Sequence, residues 1–193
     1  RRESSYFWEE RNEWFSDVWE FRGKRQKTNG ESARERSAAY PCELPKRLIL
    51  MFSQYGDTVL DPFLGTGTTT KAAILFGRNS VGYEIDGSLI ESCKSGIIED
   101  VKKHRNLNKK RLLEHLKFIQ KRIDSGKEVK HMNERYNIPV MTAQETDIVL
   151  YDLLAAREGS NNCITAEYGE LSATDCAEAV PLQRSQQKIS NFS

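Results

Sequence analysis

The chain of 193 residues has no long hydrophobic run, no surplus of either charge and no clustered cysteines. Its longest apolar stretches, such as Leu48 to Phe52, fall far short of the ~18 residues a membrane-spanning helix requires, so no membrane partner is expected. The opening RRESSYFWEERNEW lacks the apolar core of a secretory signal. Because the chain starts on Arg1 rather than Met, a processed chain or a fragment is the expectation. Lys and Arg number 29 against 28 Asp and Glu, a net charge of +1. Any case for nucleic acid must therefore rest on local patches. Cys42, Cys93, Cys163 and Cys176 form no CxxC and share no spacing with the three histidines. Neither a metal site nor a disulfide framework is expected; reduced thiols in a cytoplasmic protein are. Five prolines are scattered singly.

What is present is enough for one domain of ordinary size, with 38% hydrophobic and 30% charged residues. All three tryptophans lie before residue 20, within an aromatic-rich lead-in over residues 1–36 whose second half, Gly23 to Arg36, reads as an exposed polar loop. The pattern then predicts a helix from about Glu43 to Phe52, with Pro45 tolerated in its first turn. A short strand is expected over Thr58–Asp61, a tight loop over Pro62–Gly67, a helix from Thr68 to Phe76 stopped by Gly77, and a second strand over Ser80–Ile85.

This strand–loop–helix–strand unit has the length of a βαβ crossover, which sets the fold class as α/β with a mainly parallel sheet. Further helices are expected over Ser88 to about Lys103 and Asn108 to Ile123. The latter carries Leu112, Leu113, Leu116, Ile119 and Ile123 on one face and basic residues on the other. Weaker strand signals lie at Ile138–Met141 and Asp147–Tyr151. The α/β domain is expected over residues 37–157, and a loosely ordered tail over 158–193, where large apolar residues are sparse.

The loop Asp61-Pro62-Phe63-Leu64-Gly65-Thr66-Gly67-Thr68-Thr69-Thr70 is the most informative segment. Glycines after a strand let the backbone turn sharply and approach a ligand closely. A P-loop would place Lys directly after glycine, and here Lys71 follows Thr70. A dinucleotide loop would hold Gly or Ala where Thr70 stands. Asp61 at the strand end would repel a pyrophosphate and attract a cation. S-adenosylmethionine, with an ammonium, a sulfonium and no phosphate, meets these demands. Glu84, ending the next strand, stands where an acid can accept both ribose hydroxyls.

DPFLGTGTT followed by GRNSVGYEID resembles the cofactor-binding motif of the DNA amino-methyltransferases, which methylate cytosine N4 or adenine N6. SAAYPCELPKRLILMFSQYGDTVL, upstream, resembles their second cofactor motif as it stands in the permuted classes, and SDVWEF is also similar to their pattern. The resemblance covers roughly residues 14–90. It implies a Rossmann-like class I methyltransferase fold, incomplete in this chain. It makes Asp61, Phe63, Gly65 and Gly67 the methionine pocket, with Thr68 and Thr69 opening the helix that faces the cofactor. Glu84 would hold the ribose and Ile85 would lie against the adenine. Tyr40, Pro41 and Leu44 would line the far side of the methionine moiety; for Phe63 and Leu44 plain core packing is the alternative.

The same family carries a catalytic tetrapeptide with two adjacent prolines and an aromatic residue, which aims the target amino group at the methyl and stacks the flipped base. No such pair occurs here, so no residue of this chain is named as catalytic. The resemblance implies that the motif lies on an N-terminal half or a second chain. The expectation is the cofactor-binding part of a bacterial or archaeal restriction–modification enzyme acting on double-stranded DNA, with cytosine N4 placed ahead of adenine N6. A non-catalytic cofactor-binding or interaction module is the alternative, and a nucleotide-dependent oxidoreductase is disfavoured by Asp61 and Thr70. From Lys102 to Lys130, Lys and Arg outnumber Asp and Glu by eight, eleven against three. Lys109, Lys110 and Arg111 are therefore candidates for contacting the DNA backbone, against the alternative of a solvated helix face.

Overall fold

A computed structural model describes residues 5–22, 40–104 and 106–172. The polar loop expected over Gly23–Arg36, Cys176 and the last part of the expected tail lie outside them.

The lead-in contains a short helix, α1 (Trp8–Trp14). It is followed by α2 (Glu43–Phe52), in which Pro45 occupies the first turn, where its missing N–H has no intrahelical partner to lose. Pro45, Ile49 and Leu50 form its buried stripe. Strand β1 (Thr58–Asp61) leads through the glycine loop into α3 (Thr68–Leu75), and β2 (Asn79–Gly82) pairs with β1 in parallel, Thr58 opposite Asn79 and Asp61 opposite Gly82. Ala72, Ala73, Ile74 and Leu75 are all buried, so the last turn of α3 is enclosed on every side. The second strand leaves the ladder three residues earlier than the pattern predicts. Tyr83 is nonetheless held, donating its N–H to the Asp61 carbonyl (2.9 Å) and accepting from the Leu64 N–H (2.8 Å).

Helices α4 (Gly87–Lys103) and α5 (Leu107–Asp124) follow where periodicity places them. Beyond α5 the chain makes two antiparallel pairs, β3 (His131–Asn133) with β4 (Ile138–Val140) and β5 (Tyr151–Glu158) with β6 (Ile164–Glu170). The class is α/β. Parallel pairing among the described residues is confined to β1 and β2.

Two expectations about domain limits are corrected. Residue 157 is no boundary, because β5 runs through it, and residues 158–170 are not loosely ordered but complete a hairpin. Its turn uses Asn161 and Asn162 in the left-handed region, with the Gly159 N–H bonded to the Cys163 carbonyl. Small side chains hid this strand from the apolar pattern: Ala156 and Ala166 let the hairpin approach α3 and α4, and the Tyr168 hydroxyl donates to the Ile74 carbonyl at 2.7 Å.

The lead-in is not a separate unit either. Tyr6 and Trp14 enter the core built by α2, α3 and α4, while Phe7 enters a second core with Leu112, Leu116 and the residues around β4. The Phe7 ring stacks on His115 at 4.0 Å, and the Trp8 N–H donates to the fully buried Glu145 at 2.6 Å. No helix of the described residues is long and apolar enough to cross a membrane.

Candidate cofactor-binding site

The end of β1 places Asp61 at the mouth of the glycine loop. Its carboxyl group is buried, and Oδ1 accepts the Phe63 N–H at 3.0 Å, an Asx turn that fixes the start of the loop. The other oxygen, Oδ2, is buried without a hydrogen-bond partner. A buried carboxylate oxygen left unpaired is costly, and a donor carrying positive charge satisfies it best. This is the fit that the ammonium of S-adenosylmethionine would make.

Two glycines shape the cradle. Gly67 has φ +76°, and a Cβ there would lie 2.5 Å from both Cys93 Sγ and Ile97 Cδ1, so α4 packs directly against the loop backbone. Gly65, at φ +53°, faces open space and donates its N–H to Glu84 Oε2 at 2.9 Å. Glu84 Oε1 accepts the Asp86 N–H at 3.0 Å. The acid expected to hold a ribose therefore also pins the loop, and each oxygen keeps a further lone pair for a hydroxyl.

Thr68 and Thr69 open α3. The Thr69 hydroxyl lies 2.6 Å from the Tyr40 hydroxyl, which brings the upstream motif to the helix start. Burial raises the Tyr40 phenol pKa and the Asp61 charge adds to it, against the opposing hydrogen bond from Thr69. Pro41 and Leu44 follow, half-buried, joined by the Leu44 N–H to the Pro41 carbonyl at 3.0 Å. Phe63 is 87% exposed and Ile85 fully exposed. Core packing is thus not the role of Phe63, and both stand as open apolar walls at the strand ends. A cavity of about 670 Å³ follows the outer edge of β2 between α4 and the β5–β6 hairpin, with Leu64 and Glu84 in its lining.

Three supporting contacts carry no local signature. Cys93 and Ile97 pack against Gly67, Leu64 fills the space beside Gly82, and Thr70 bonds Ser80 at 2.8 Å across α3 and β2. Only the two glycines hinted that something lies close.

The basic triplet divides. Lys110 is exposed and Lys109 half-buried. Arg111 points inward, which corrects its assignment to a DNA-facing surface. Its Nε and Nη2 grip the two oxygens of Glu10 at 2.7 Å each, Nη1 donates to Asn108 and Nη2 also to the Ser5 carbonyl. Desolvation alone would raise the Glu10 pKa and lower that of Arg111. The pairing outweighs it in both, holding Glu10 below and Arg111 above their ordinary values.

The sequence model of the DNA methylase family matches residues 1–95. The matched segment contains every candidate cofactor residue from Tyr40 to Ile85. The type II methyltransferase M.MthZI of Methanothermobacter thermautotrophicus is 46% identical over 173 residues, 89% of this chain and 47% of that protein. M.MjaI of Methanocaldococcus jannaschii is 61% identical over 89 residues, 46% of this chain and 29% of that protein. The chain thus spans less than half the length of these relatives. A protein of Thermus thermophilus, described as a putative DNA modification methylase and solved with S-adenosyl-L-methionine, is 32% identical over 50% of this chain and 34% of that one, with a TM-score of 0.39.

Proposed function

We propose that this chain is the cofactor-binding part of an S-adenosylmethionine-dependent DNA methyltransferase of a restriction–modification system, and that the enzyme methylates an exocyclic amino nitrogen of a base in double-stranded DNA. Cytosine N4 stands first as the acceptor and adenine N6 second. The observation that carries the reading is the buried, unpartnered Oδ2 of Asp61 beside a loop pinned by Glu84. The family match of residues 1–95 and the name of M.MthZI support it.

The bound cofactor would supply a methyl group made electrophilic by its sulfonium. Asp61 would anchor the amino acid end through Oδ2, and Glu84 would take the ribose hydroxyls on its remaining lone pairs. Phe63 and Ile85 would cover the apolar faces, and Tyr40, Pro41, Leu44, Thr68 and Thr69 would close the methionine side. These residues orient the methyl group. The aim of the amino nitrogen would come from the Pro-Pro-aromatic motif on another part of the enzyme, an N-terminal half or a second chain, in keeping with relatives more than twice as long as the matched region. Lys109 and Lys110 would meet DNA phosphates.

Calorimetric titration of S-adenosylhomocysteine into this chain tests the reading. Binding that Asp61→Ala and Glu84→Ala each weaken by about 1 kcal/mol or more, the scale of a lost charge-assisted hydrogen bond, is the expected outcome. A folded chain that binds nothing would sink the cofactor assignment and favour a non-catalytic module.

A further inference from the structure

The cavity of about 670 Å³ beside β2 is continuous with the cofactor cradle, because Leu64 and Glu84 belong to its lining. One wall is β2 and a second is α4, which contributes Ile90 and Ile97. The third is the turn of the β5–β6 hairpin, from Asn161 onward. That turn lies beyond residues 1–95, so the segment matched by the family model supplies two walls and not the third.

Two adjacent asparagines make the turn, in the left-handed region at φ +55° and +58°. Their side chains are used differently. Asn162 Oδ1 accepts from Lys94 Nζ at 3.0 Å, and the same ammonium bonds Glu158 at 3.0 Å and Glu91 at 2.9 Å, which ties the turn to α4. The Asn161 side chain lines the cavity with no hydrogen-bond partner among the described residues.

Ligand pockets are largely apolar and carry a few polar groups that fix orientation. Leu64, Ile90 and Ile97 supply the apolar surface here, and Asn161 supplies a carboxamide. A carboxamide sets an acceptor beside a donor, the pattern that complements the N6 amino group and N7 of adenine. The base carried by a ribose on Glu84 finds an apolar face in the exposed Ile85, but Ile85 offers its edge nothing to bond. Backbone conformation alone does not call for asparagine at position 161, since glycine takes a positive φ at no steric cost.

We propose that Asn161 reads the adenine edge of S-adenosylmethionine, and that the turn Asn161-Asn162-Cys163 is a wall of the cofactor site. The inference rests on the cofactor reading above and makes Asn161 a specificity residue, one that favours a base with an amino donor at position 6 over one with a carbonyl there.

The test is calorimetric titration with S-adenosylhomocysteine and with S-inosylhomocysteine, whose base carries a carbonyl in place of the amino group. The unsubstituted chain is expected to prefer the first by about fivefold or more, the scale of one hydrogen bond left unmade. Asn161→Gly keeps the turn conformation and is expected to lose that preference, by weakening S-adenosylhomocysteine alone. Asn162→Gly breaks the Lys94 contact and is expected to retain it. Saturating S-adenosylhomocysteine should also slow alkylation of Cys163, which stands in the same turn and lines the cavity, by about fivefold or more. An Asn161→Gly variant that discriminates as before, or a Cys163 that reacts equally fast with and without ligand, would overturn the assignment. A folded chain that binds neither ligand removes the cofactor reading and this one with it. Binding with unchanged discrimination removes this one only.

Discussion

The backbone N–H of Gly65 donates to the carboxylate of Glu84 across 2.9 Å, joining the loop after β1 to the residues after β2. With the Asp86 N–H on the other oxygen, Glu84 is an organiser of the cradle before any ligand arrives. Glu84→Gln keeps one acceptor oxygen and loses the other, because its amide nitrogen cannot accept. Affinity for S-adenosylhomocysteine should therefore fall in both Glu84→Gln and Glu84→Ala, with Ala the weaker binder. Amide exchange at Gly65 should quicken in step, which a residue acting on the ribose alone would not cause.

The two glycines of the loop should respond differently to alanine. At Gly67 the new Cβ meets Cys93 and Ile97 at 2.5 Å and the backbone sits at φ +76°, so overpacking adds to conformational strain. At Gly65 only the strain applies, the nearest atom lying 3.9 Å away. Urea denaturation should show Gly67→Ala losing about 2–4 kcal/mol and Gly65→Ala about 1 kcal/mol.

Arg111 and Glu10 should behave as a structural pair. Arg111→Ala leaves the half-buried Glu10 carboxylate with only the Phe7 N–H bonded to it, at a cost of about 3 kcal/mol in denaturation experiments. Lys110→Ala, on the exposed side of α5, should leave stability within about 0.5 kcal/mol and lower the salt dependence of DNA binding.

The same pair sets a pH dependence. The Glu10 pKa lies below its ordinary 4.5 in the folded chain, through the Arg111 charge overcoming burial. Its contribution is complete above the unfolded value and is lost as the pH falls through the folded one. Stability measured from pH 5 downward should drop less steeply in Glu10→Gln than in the unsubstituted chain, whose carboxylate takes up a proton on unfolding there.

Cysteine labelling checks the packing of α4. Burial, helped by the Glu84 charge, pushes the Cys93 thiol up to about 11, while Cys163 is exposed at the hairpin turn. Alkylation at pH 8 read by mass spectrometry should modify Cys163 first and Cys93 last among the three described cysteines.

Much of the geometry of the candidate site was legible because its signals are local. Asp61 through Thr69 announce a strand, a tight turn and a helix start within nine residues, and Glu84 stands two residues past the end of the next strand. Each is fixed by backbone geometry or by short-range apolar spacing. Helices α2 to α5 followed from periodicity for the same reason. The second strand ended earlier than its β-formers implied: Tyr83 keeps one bond to β1, from its N–H to the Asp61 carbonyl, and turns its own carbonyl to the Leu64 N–H of the loop.

What the amino-acid sequence determined by itself is the parallel β1–α3–β2 unit, the acids at its strand ends and the conformation of its glycines. Tertiary structure alone decided that Arg111 of α5 turns inward. Arg111 counts as one more basic residue until Glu10, 101 positions away, enters the same buried space and pairs with it. It also decided that Trp14 and Phe7 split between two cores, and that residues beyond 157 form a strand pair with alanines at its contacts. A local pattern shows which residues avoid water. Which partner they meet depends on a fit between distant segments, and a buried charge reverses its apparent role once that partner is present.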